Sequence, residues 1–176
     1  MGTLKIGSSS NKKGVTIEPK TVLFNGNNVN EIMSGSTSIW EKEVKIPFVG
    51  TATASSSNNS DRGPGNAFDG SHSTKWISGN SSTNTLTFTF TTPITKLLHF
   101  VVYCGASNTD TSRTYSFEVS TDGSSYTPLA TITDTKFDYD NLMFDEKVKV
   151  TNVKSIRLKG TNGVIGCTEI ELYGKI

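Results

Sequence analysis

Alternation of apolar and polar residues is the feature of this sequence that most limits what it can fold into. Residues 86–90 read Leu-Thr-Phe-Thr-Phe, and Tyr115, Phe117 and Val119 follow the same spacing. Alternation places every second side chain on one face of a β-strand, whereas an amphipathic helix repeats its apolar residues about every 3.6 positions. The pattern therefore predicts strands with one buried face, and no segment is a convincing candidate for a helix.

The predicted strands follow one another closely, with turn residues between them. They are residues 86–90, 97–103, 115–119, 129–132, 148–150, 155–158 and 169–173. Residues 97–103 are almost continuously apolar, which is typical of a central strand buried on both faces, and His99 is interpreted as a residue of that strand. Asp122-Gly123 predicts a hairpin turn. Short strands at this spacing favour an all-β sandwich or barrel.

The charge and hydropathy of the chain argue against two classes of partner. Lys and Arg number 17 and Asp and Glu 16, so no excess of positive charge favours nucleic acid or an anionic membrane surface. No apolar run approaches the roughly 18 residues of a membrane span. The N-terminus lacks the apolar core of a signal peptide, so we expect export by a route that needs none, or a start after processing.

The chain carries little catalytic equipment. It has two histidines, His72 and His99, and lacks the G-x-S-x-G, H-E-x-x-H, P-loop and dinucleotide-binding motifs. A pair of catalytic carboxylates, as in glycoside hydrolases, has no fixed sequence motif, so the lack of these motifs does not argue against it. We therefore expect a protein that is not an enzyme. Cys104 and Cys167 leave two alternatives open, one disulfide or two partly buried thiols.

The first 46 residues differ from the rest of the chain. Short β segments at residues 4–6, 21–24 and 38–40 are joined by Asn, Gly and Ser. So short a segment is too small for a large core of its own, and we expect it to lean on the main domain, another subunit or a larger assembly. The charged residues 41–45 are predicted to be a linker. Pro47 then begins a main domain of residues 47–176.

One loop, Asn-Ala-Phe-Asp-Gly-Ser-His-Ser-Thr-Lys-Trp at residues 66–76, is rich in oxygen ligands. Asp69 offers a carboxylate, Gly70 permits a bend, and Thr74 offers a hydroxyl and a carbonyl. Calcium takes about six to eight oxygen ligands of these kinds. The loop is therefore a candidate calcium site, with a plain Asx turn as the alternative.

The same loop opens a series of motifs that resembles the discoidin domains. Residues 66–76 resemble A-x-D-G-x-x-x-T-x-W, and residues 115–126 resemble the Y-x-x-x-x-S-x-D-G-x-x-W hairpin with Tyr126 for Trp. Residues 153–158 resemble the R-Y-(I/V)-R-L strand with Lys-Ser for Arg-Tyr, and residues 168–174 the closing A-E-(I/L)-x-(V/L)-x-G strand. Discoidin domains, also called coagulation factor V/VIII C-type domains, include the family-32 carbohydrate-binding modules. The resemblance implies an eight-stranded jelly-roll β-sandwich over residues 47–176.

The resemblance also implies a structural calcium ion. By matching positions, its ligands would be the carbonyls of Asn66 and Ser71, the carboxylate of Asp69, the hydroxyl and carbonyl of Thr74, the carbonyl of Thr168, and a carboxylate or carbonyl oxygen of Glu169. These positions join one loop to the last strand of the domain. Trp76 is expected to pack in the core behind the loop.

In this family, ligands bind through variable loops at one end of the sandwich. The corresponding loops here are residues 55–65, 78–83, 105–113 and 161–166. Their candidate ligand-binding residues are Arg62, Asn80, Asn108, Asp110, Arg113 and Asn162, with Tyr103 as the nearest aromatic. A core position for Tyr103 is the alternative. Ile77 stands where galactose-binding members carry a His, so galactose is not expected. The loops lack apolar spikes, so membrane insertion is not expected either.

The N-terminal residues 21–41 resemble stretches common in bacteriophage structural proteins. Together, the resemblances imply a glycan-binding adhesion protein displayed on a larger particle, a phage capsid or tail. Residues 1–46 would bind other virion proteins, many copies or a homo-oligomer would be present, and the location would be the virion or extracellular. Two alternatives are a purely structural decoration protein with a degenerate sugar site, and a carbohydrate-binding module of a secreted bacterial glycosidase.

Overall fold

The computed structural model describes residues 4–7, 21–24, 27–29, 31–34, 37–104, 113–134 and 141–176. The chain divides into two compact units, Met1–Glu43 and Val44–Ile176. The sequence predicts that the main domain begins at Pro47, whereas the second unit begins at Val44. Val44 and Lys45 instead form a short strand that pairs with Gly174 and Tyr173 of the last strand, and Glu41 is the last residue of another strand. The prediction of a linker over residues 41–45 is therefore wrong at these three positions.

The first unit consists of small antiparallel sheets. Its strands are Leu4–Gly7 (β1), Thr21–Phe24 (β2), Asn27–Val29 (β3), Glu31–Ser34 (β4) and Thr37–Glu41 (β5). β2 pairs with β1 and β3, and β4 pairs with β5. These strands include the β segments that the sequence predicts.

The described residues of the second unit form eight strands and two single-turn 3₁₀ helices. The strands are Val44–Lys45 (β6), Gly50–Ala54 (β7), Trp76–Ile77 (β8), Thr83–Cys104 (β9), Arg113–Ser120 (β10), Thr127–Asp134 (β11), Asn141–Thr161 (β12) and Gly166–Lys175 (β13), and the helices are Ser60–Arg62 and Pro64–Ala67. Within the described residues, no helix has the length and apolar character to cross a membrane.

Two long strands connect the layers of the second unit. In β9 and β12, residues 83–89 pair with residues 155–161, and residues 94–104 pair with residues 141–153. Beside the first half of this strand pair lie β10 and β11 on one side and β7 on the other. Beside the second half lies β13, which also pairs with β6 and β8. The sequence predicts four separate strands here. Between the two halves, Thr89 pairs with Ser155 and Ile94 with Val153, so β9 has four residues where β12 has one. This register shift lets both strands run on without a turn, which sequence patterning does not reveal.

The core lies between the two layers. Phe100 of β9 stacks on Phe117 of β10 with a ring-centroid distance of 4.2 Å, although these strands are not hydrogen-bonded to each other. Phe88 packs against Phe48 and Phe68 at 5.0 and 4.9 Å. Leu86, Phe88 and Phe90 are buried and Thr87 and Thr89 are more exposed, as the alternation predicts. Both faces are buried at residues 100–102. The predicted all-β, discoidin-like sandwich is confirmed.

Candidate functional site

Residues 68–75, between the second 3₁₀ helix and β8, form a loop that we call the Asp69 loop, and hydrogen bonds of its own side chains hold it closed. Asp69 Oδ1 accepts a hydrogen bond from Ser71 N at 2.9 Å, and Asp69 Oδ2 accepts one from Thr74 Oγ1 at 2.7 Å. Thr74 Oγ1 also lies 3.1 Å from Ser71 O. Gly70 has a φ of 79°, a left-handed conformation that glycine adopts without strain. The loop thereby gathers a carboxylate, a hydroxyl and a carbonyl within hydrogen-bond distance of one another.

Glu169 of β13 meets this loop from the far end of the chain. Gly70 N donates a hydrogen bond to Glu169 Oε2 at 3.1 Å. The residue is only 1% exposed, and its burial, reinforced by the negative charge of Asp69, raises its pKa to about 7 against the opposing hydrogen bond from Gly70. This shift means that a buried negative charge here is costly unless a positive charge compensates it.

Glu171, two positions along the same strand, shows the opposite behaviour. Burial acts to raise its pKa, but hydrogen bonds from Lys45 Nζ and Tyr173 Oη outweigh that effect and lower it. The Lys45 Nζ–Glu171 Oε1 distance is 2.7 Å and the Tyr173 Oη–Glu171 Oε2 distance is 2.8 Å. Glu171 is thus compensated by a cation of the protein, and the raised pKa of Glu169 shows that its own compensation is incomplete.

The remaining predicted calcium ligands lie beside these groups in the chain. Thr168 is 1% exposed and immediately precedes Glu169. The side-chain amide of Asn66 donates to Asp61 O at 2.8 Å and to Lys75 O at 3.1 Å, which ties together the two ends of the loop. Among the described residues, no group of three or more His, Cys, Asp or Glu side chains is placed to hold a metal ion. The predicted set has two carboxylates, and its other donors are hydroxyl and carbonyl oxygens.

Trp76 closes the loop from below. Its side chain is fully buried, as the sequence predicts, and Trp76 Nε1 donates to Ser56 O at 3.0 Å. A buried indole with its single donor satisfied is a stable anchor for the chain that follows it. That chain, residues 78–83, is one of the predicted ligand loops.

Three of the predicted ligand loops are fastened together by one buried side chain. Asn84, which is fully buried, accepts a hydrogen bond from Ser56 Oγ at 3.0 Å and donates to Gly163 O at 3.0 Å and to Ser81 O at 3.4 Å. Its contacts reach residues 55–65, 78–83 and 161–166. We call this arrangement, residues 55–59, 78–84 and 161–166, the loop platform.

Further hydrogen bonds hold the loop platform rigid. Ser78 is fully buried, its backbone N donates to Ile165 O at 2.9 Å, and its Oγ accepts a hydrogen bond from Ile165 N at 2.9 Å. Asn162 N and Gly163 N donate to Ser82 O and Ser81 O, both at 3.1 Å. Backbone and buried side chains thus fix the shape of the platform, as a pre-formed binding surface requires.

The predicted ligand residues fall into separate groups. Asn80 and Asn162 are exposed on the loop platform, and Arg62 is half-buried in the adjoining 3₁₀ helix. Tyr103 is half-buried near the end of β9, where the ring of His72 meets it edge-on at 4.5 Å between centroids. Arg113 begins β10, and its side chain is not described. Asn108 and Asp110 lie outside the described residues.

Two residues of this region were not assigned a role from the sequence. Asn84 lies on the buried face of β9 with Leu86 and Phe88. A polar residue at a position where the alternation predicts an apolar one was the signal that could have identified it. His72 was noted only as a loop residue. Its contact with Tyr103 joins residues 31 positions apart, which spacing along the chain does not suggest.

Comparison with known families gives one match. The F5/8 type C domain family matches residues 51–170, which lie within the second unit and include the loop platform and the Asp69 loop. No curated protein matches the chain in sequence.

Several solved structures share the fold at low sequence identity. A chitosan-binding module of a Paenibacillus chitosanase/glucanase is 22% identical, with a TM-score of 0.57, over 74% of this chain and 99% of that one. The family 32 module of C. perfringens NanJ, solved with galactose, is 18% identical, with a TM-score of 0.58, over 75% and 99%. The CBM32 of AlyQ, solved with 4,5-unsaturated mannuronic acid, is 21% identical, with a TM-score of 0.56, over 73% and 97%.

Proposed function

Because the chain belongs to the F5/8 type C domain family, we propose that it binds a glycan, without catalysis, at the end of the sandwich formed by the loop platform. The observation that carries the proposal is the fastening of three loops by Asn84. A surface whose backbone is already ordered loses less conformational entropy when a ligand binds. This arrangement favours recognition of a weakly bound partner such as a sugar.

The exposed chemistry of the loop platform suits hydroxyl groups. Asn80 and Asn162 each offer a side-chain carbonyl acceptor and an amide donor on one rigid surface. Arg62 adds planar donors beside it. Tyr103 with His72 is the described aromatic pair nearest the end of β9, from which residues 105–112 depart. The proposed site is therefore polar around its centre, with an aromatic pair at its margin.

The related modules support glycans as a class and no single sugar. One of the three similar structures is named a chitosan-binding module, and the other two were solved in complex with galactose and with 4,5-unsaturated mannuronic acid. These sugars differ in charge and in ring substituents. All are below 25% identical to this chain, so their ligands are not transferred to it. We propose a neutral or charged polysaccharide of a cell surface, to be identified by experiment.

The proposal is tested with the full chain on a glycan array, followed by calorimetric titration of the best hit. We expect Asn80→Ala combined with Asn162→Ala to weaken binding about tenfold or more, because each substitution removes direct hydrogen bonds to the ligand. Thr89→Ala is a matched control, since Thr89 is exposed on β9 away from the loop platform. Its affinity should equal that of the unmodified protein.

The outcomes separate the candidate functions. Equal affinities for the platform variant and the control would place the glycan site elsewhere on the domain. A chain that is folded by circular dichroism and binds nothing on the array would favour the structural decoration protein. Release of sugar from a hit would contradict the proposal of a non-enzymatic module.

We further propose that the Asp69 loop holds a structural calcium ion. The donors fit a hard cation, since they are carboxylate, hydroxyl and carbonyl oxygens with no competing sulfur or imidazole ligand among them. The raised pKa of Glu169 supports the proposal, because a cation beside that carboxylate would compensate its charge. Asp69, Ser71, Thr74 and Glu169 would hold the ion, with Asn66 and Thr168 contributing carbonyls. Its contribution would be to fasten the loop to β13.

We also propose that the N-terminal residues 1–46 anchor the glycan-binding domain to a larger particle, a bacteriophage virion, in many copies. The separate N-terminal unit, Met1–Glu43, supports this, since it lies outside the residues that match the family. A carbohydrate-binding module of a secreted glycosidase fits the same fold equally. Mass spectrometry of purified phage particles and of secreted proteins from the source culture separates the two: recovery with virions supports the anchor, and recovery on a catalytic chain overturns it.

A further inference from the structure

Cys104 and Cys167 are the only cysteines of the chain, and the fold brings them face to face. In the antiparallel ladder of β9 and β13 they are direct cross-strand partners. Both are free thiols, with exposed fractions of 0% for Cys104 and 1% for Cys167. The fold therefore places two buried thiols directly opposite each other on neighbouring strands.

The backbone geometry at this pair is suited to a disulfide. Opposed residues of an antiparallel pair have Cα atoms about 4.5–5.5 Å apart, and a disulfide accepts Cα separations of about 4.4–6.8 Å. The ladder shifts register immediately after Cys167, before Glu169, which gives this end of β13 freedom to adjust. The present contacts of the Cys167 thiol are weak ones, to Tyr103 O at 3.3 Å and Glu169 O at 3.7 Å, so closing a bridge breaks no strong hydrogen bond.

We propose that Cys104 and Cys167 form an intramolecular disulfide when the chain folds or resides in an oxidising environment. The oxidant is a disulfide of the glutathione type. One cysteine thiolate attacks it and releases one glutathione thiol, giving a mixed disulfide. The second cysteine thiolate attacks the protein sulfur and releases the second glutathione thiol, so two protein thiols are oxidised and one glutathione disulfide is reduced.

The burial of the pair determines when the bridge forms. Glutathione does not reach thiols that are about 0–1% exposed, so exchange takes place before β13 docks on β9 or when β13 opens. Cys167 also pairs with Trp76 of β8, so the bridge fastens β13 at the point where it holds both neighbouring strands. It closes the chain over residues 104–167, a long loop for which the loss of unfolded-state entropy is large.

The test uses the unmodified chain, refolded from denaturant in glutathione buffers of graded redox ratio and then alkylated. In oxidising buffer, we expect a monomer that has lost two hydrogen atoms in mass, takes up no alkylating reagent and yields a linked peptide pair containing Cys104 and Cys167. Its melting temperature should exceed that of the reduced chain by roughly 10 °C. Cys104→Ala and Cys167→Ala, each carrying one thiol, should show no such rise between the two buffers.

Three outcomes would overturn the proposal. They are two alkylatable thiols after refolding in oxidising buffer, stable glutathione adducts on either cysteine, and bridges only between chains on a non-reducing gel. Because the decisive measurement compares the oxidised and reduced forms of one unmodified chain, it does not depend on whether the alanine variants fold.

Discussion

Two Asp-Gly turns of the second unit share the same dipeptide and differ in what surrounds it. Gly70 follows Asp69 with a φ of 79°, and Gly123 follows Asp122 with a φ of 86°. Asp122 accepts hydrogen bonds from Ser124 N and Ser125 N, both at 2.7 Å. These bonds hold the pKa of Asp122 well below its usual range, and the bond from Ser125 N has the largest effect.

The Asp69 turn draws in a group from outside its own sequence. Ser71 and Thr74 satisfy Asp69 much as the serines satisfy Asp122, but Glu169 also reaches the turn, from 99 residues away. The Asp122 turn joins β10 to β11, and the distant group that reaches it is a cation, because Lys154 Nζ donates to Asp122 O at 3.3 Å. The Asp69 turn brings a second carboxylate, that of the buried Glu169, close to Asp69. The pKa of Glu169 is raised although Lys45 acts to lower it, and this difference distinguishes a turn from a candidate ion site.

Chelation should separate the two turns most strongly. At calcium concentrations about a hundredfold above the dissociation constant, we expect a chelator to lower the melting temperature by roughly 5–10 °C, because the ion binds only the folded chain. Asp69→Ala should abolish this sensitivity and Asp122→Ala should retain it. Equal sensitivity of the two variants in a calorimetric melt, or none in the unmodified chain, would contradict a calcium site at Asp69.

The effect of Glu169→Gln on the melting temperature should depend on calcium. In chelator, the substitution removes a buried charge next to Asp69, so we expect the melting temperature to stay the same or rise by roughly 3 °C, about 1 kcal/mol. In calcium, it removes a ligand and the melting temperature should fall. Glu171→Gln is the matched control, since Lys45 already compensates that carboxylate, and its effect should be the same in both buffers.

Alanine at the two turn glycines should show that their backbones are equivalent. An added Cβ would meet nothing within 4 Å at Gly70 and only the flexible Lys154 side chain at Gly123, with Cδ nearest at 3.4 Å, so the cost is that of a positive φ. In chelator, we expect each substitution to lower the unfolding free energy by about 1 kcal/mol in urea titrations. Gly65→Ala, also with open space but without a positive φ, should cost nothing. A clearly larger loss at either turn would show that it is strained by more than its φ.

Acid should affect the Asp122 turn in a specific direction. The pKa of Asp122 is lowered in the folded chain from an ordinary value of 3.8, so its carboxylate stabilises the fold above about pH 4, and this contribution is lost as the pH falls further. The difference in melting temperature between the unmodified chain and Asp122→Asn should therefore shrink between pH 5 and about pH 2. A difference that stays constant over this range would exclude the carboxylate as its source.

Much of the fold could be predicted from local patterns. The alternation of residues 86–90 and the Asp122-Gly123 turn indicate a strand and a hairpin because each depends on neighbours in the sequence. The joining of residues 83–104 into one strand could not be predicted, since it depends on a register shift against β12, which is distant in the sequence. Val44 and Lys45 were assigned to a linker because their strand partners, in β13, lie near the other end of the chain.

The candidate site divides in the same way. The Asp69 loop was identifiable from its own residues, whereas the role of Asn84 depends on Gly163, 79 positions later. The edge contact of His72 with Tyr103 and the opposition of Cys104 and Cys167 also join distant positions. Asn80 and Asn162 were predicted as ligand residues, and their position on one surface follows from the hydrogen bonds that fasten their loops.

The sequence by itself determined many of the strand segments, the two Asp-Gly turns and the family of the second unit, because backbone preference and side-chain alternation act over a few residues. Only the tertiary structure decided which carboxylate reaches the Asp69 turn, which loops form one platform and which thiols face each other. These depend on the register between strands far apart in the chain, and register is set by the packing of the whole core.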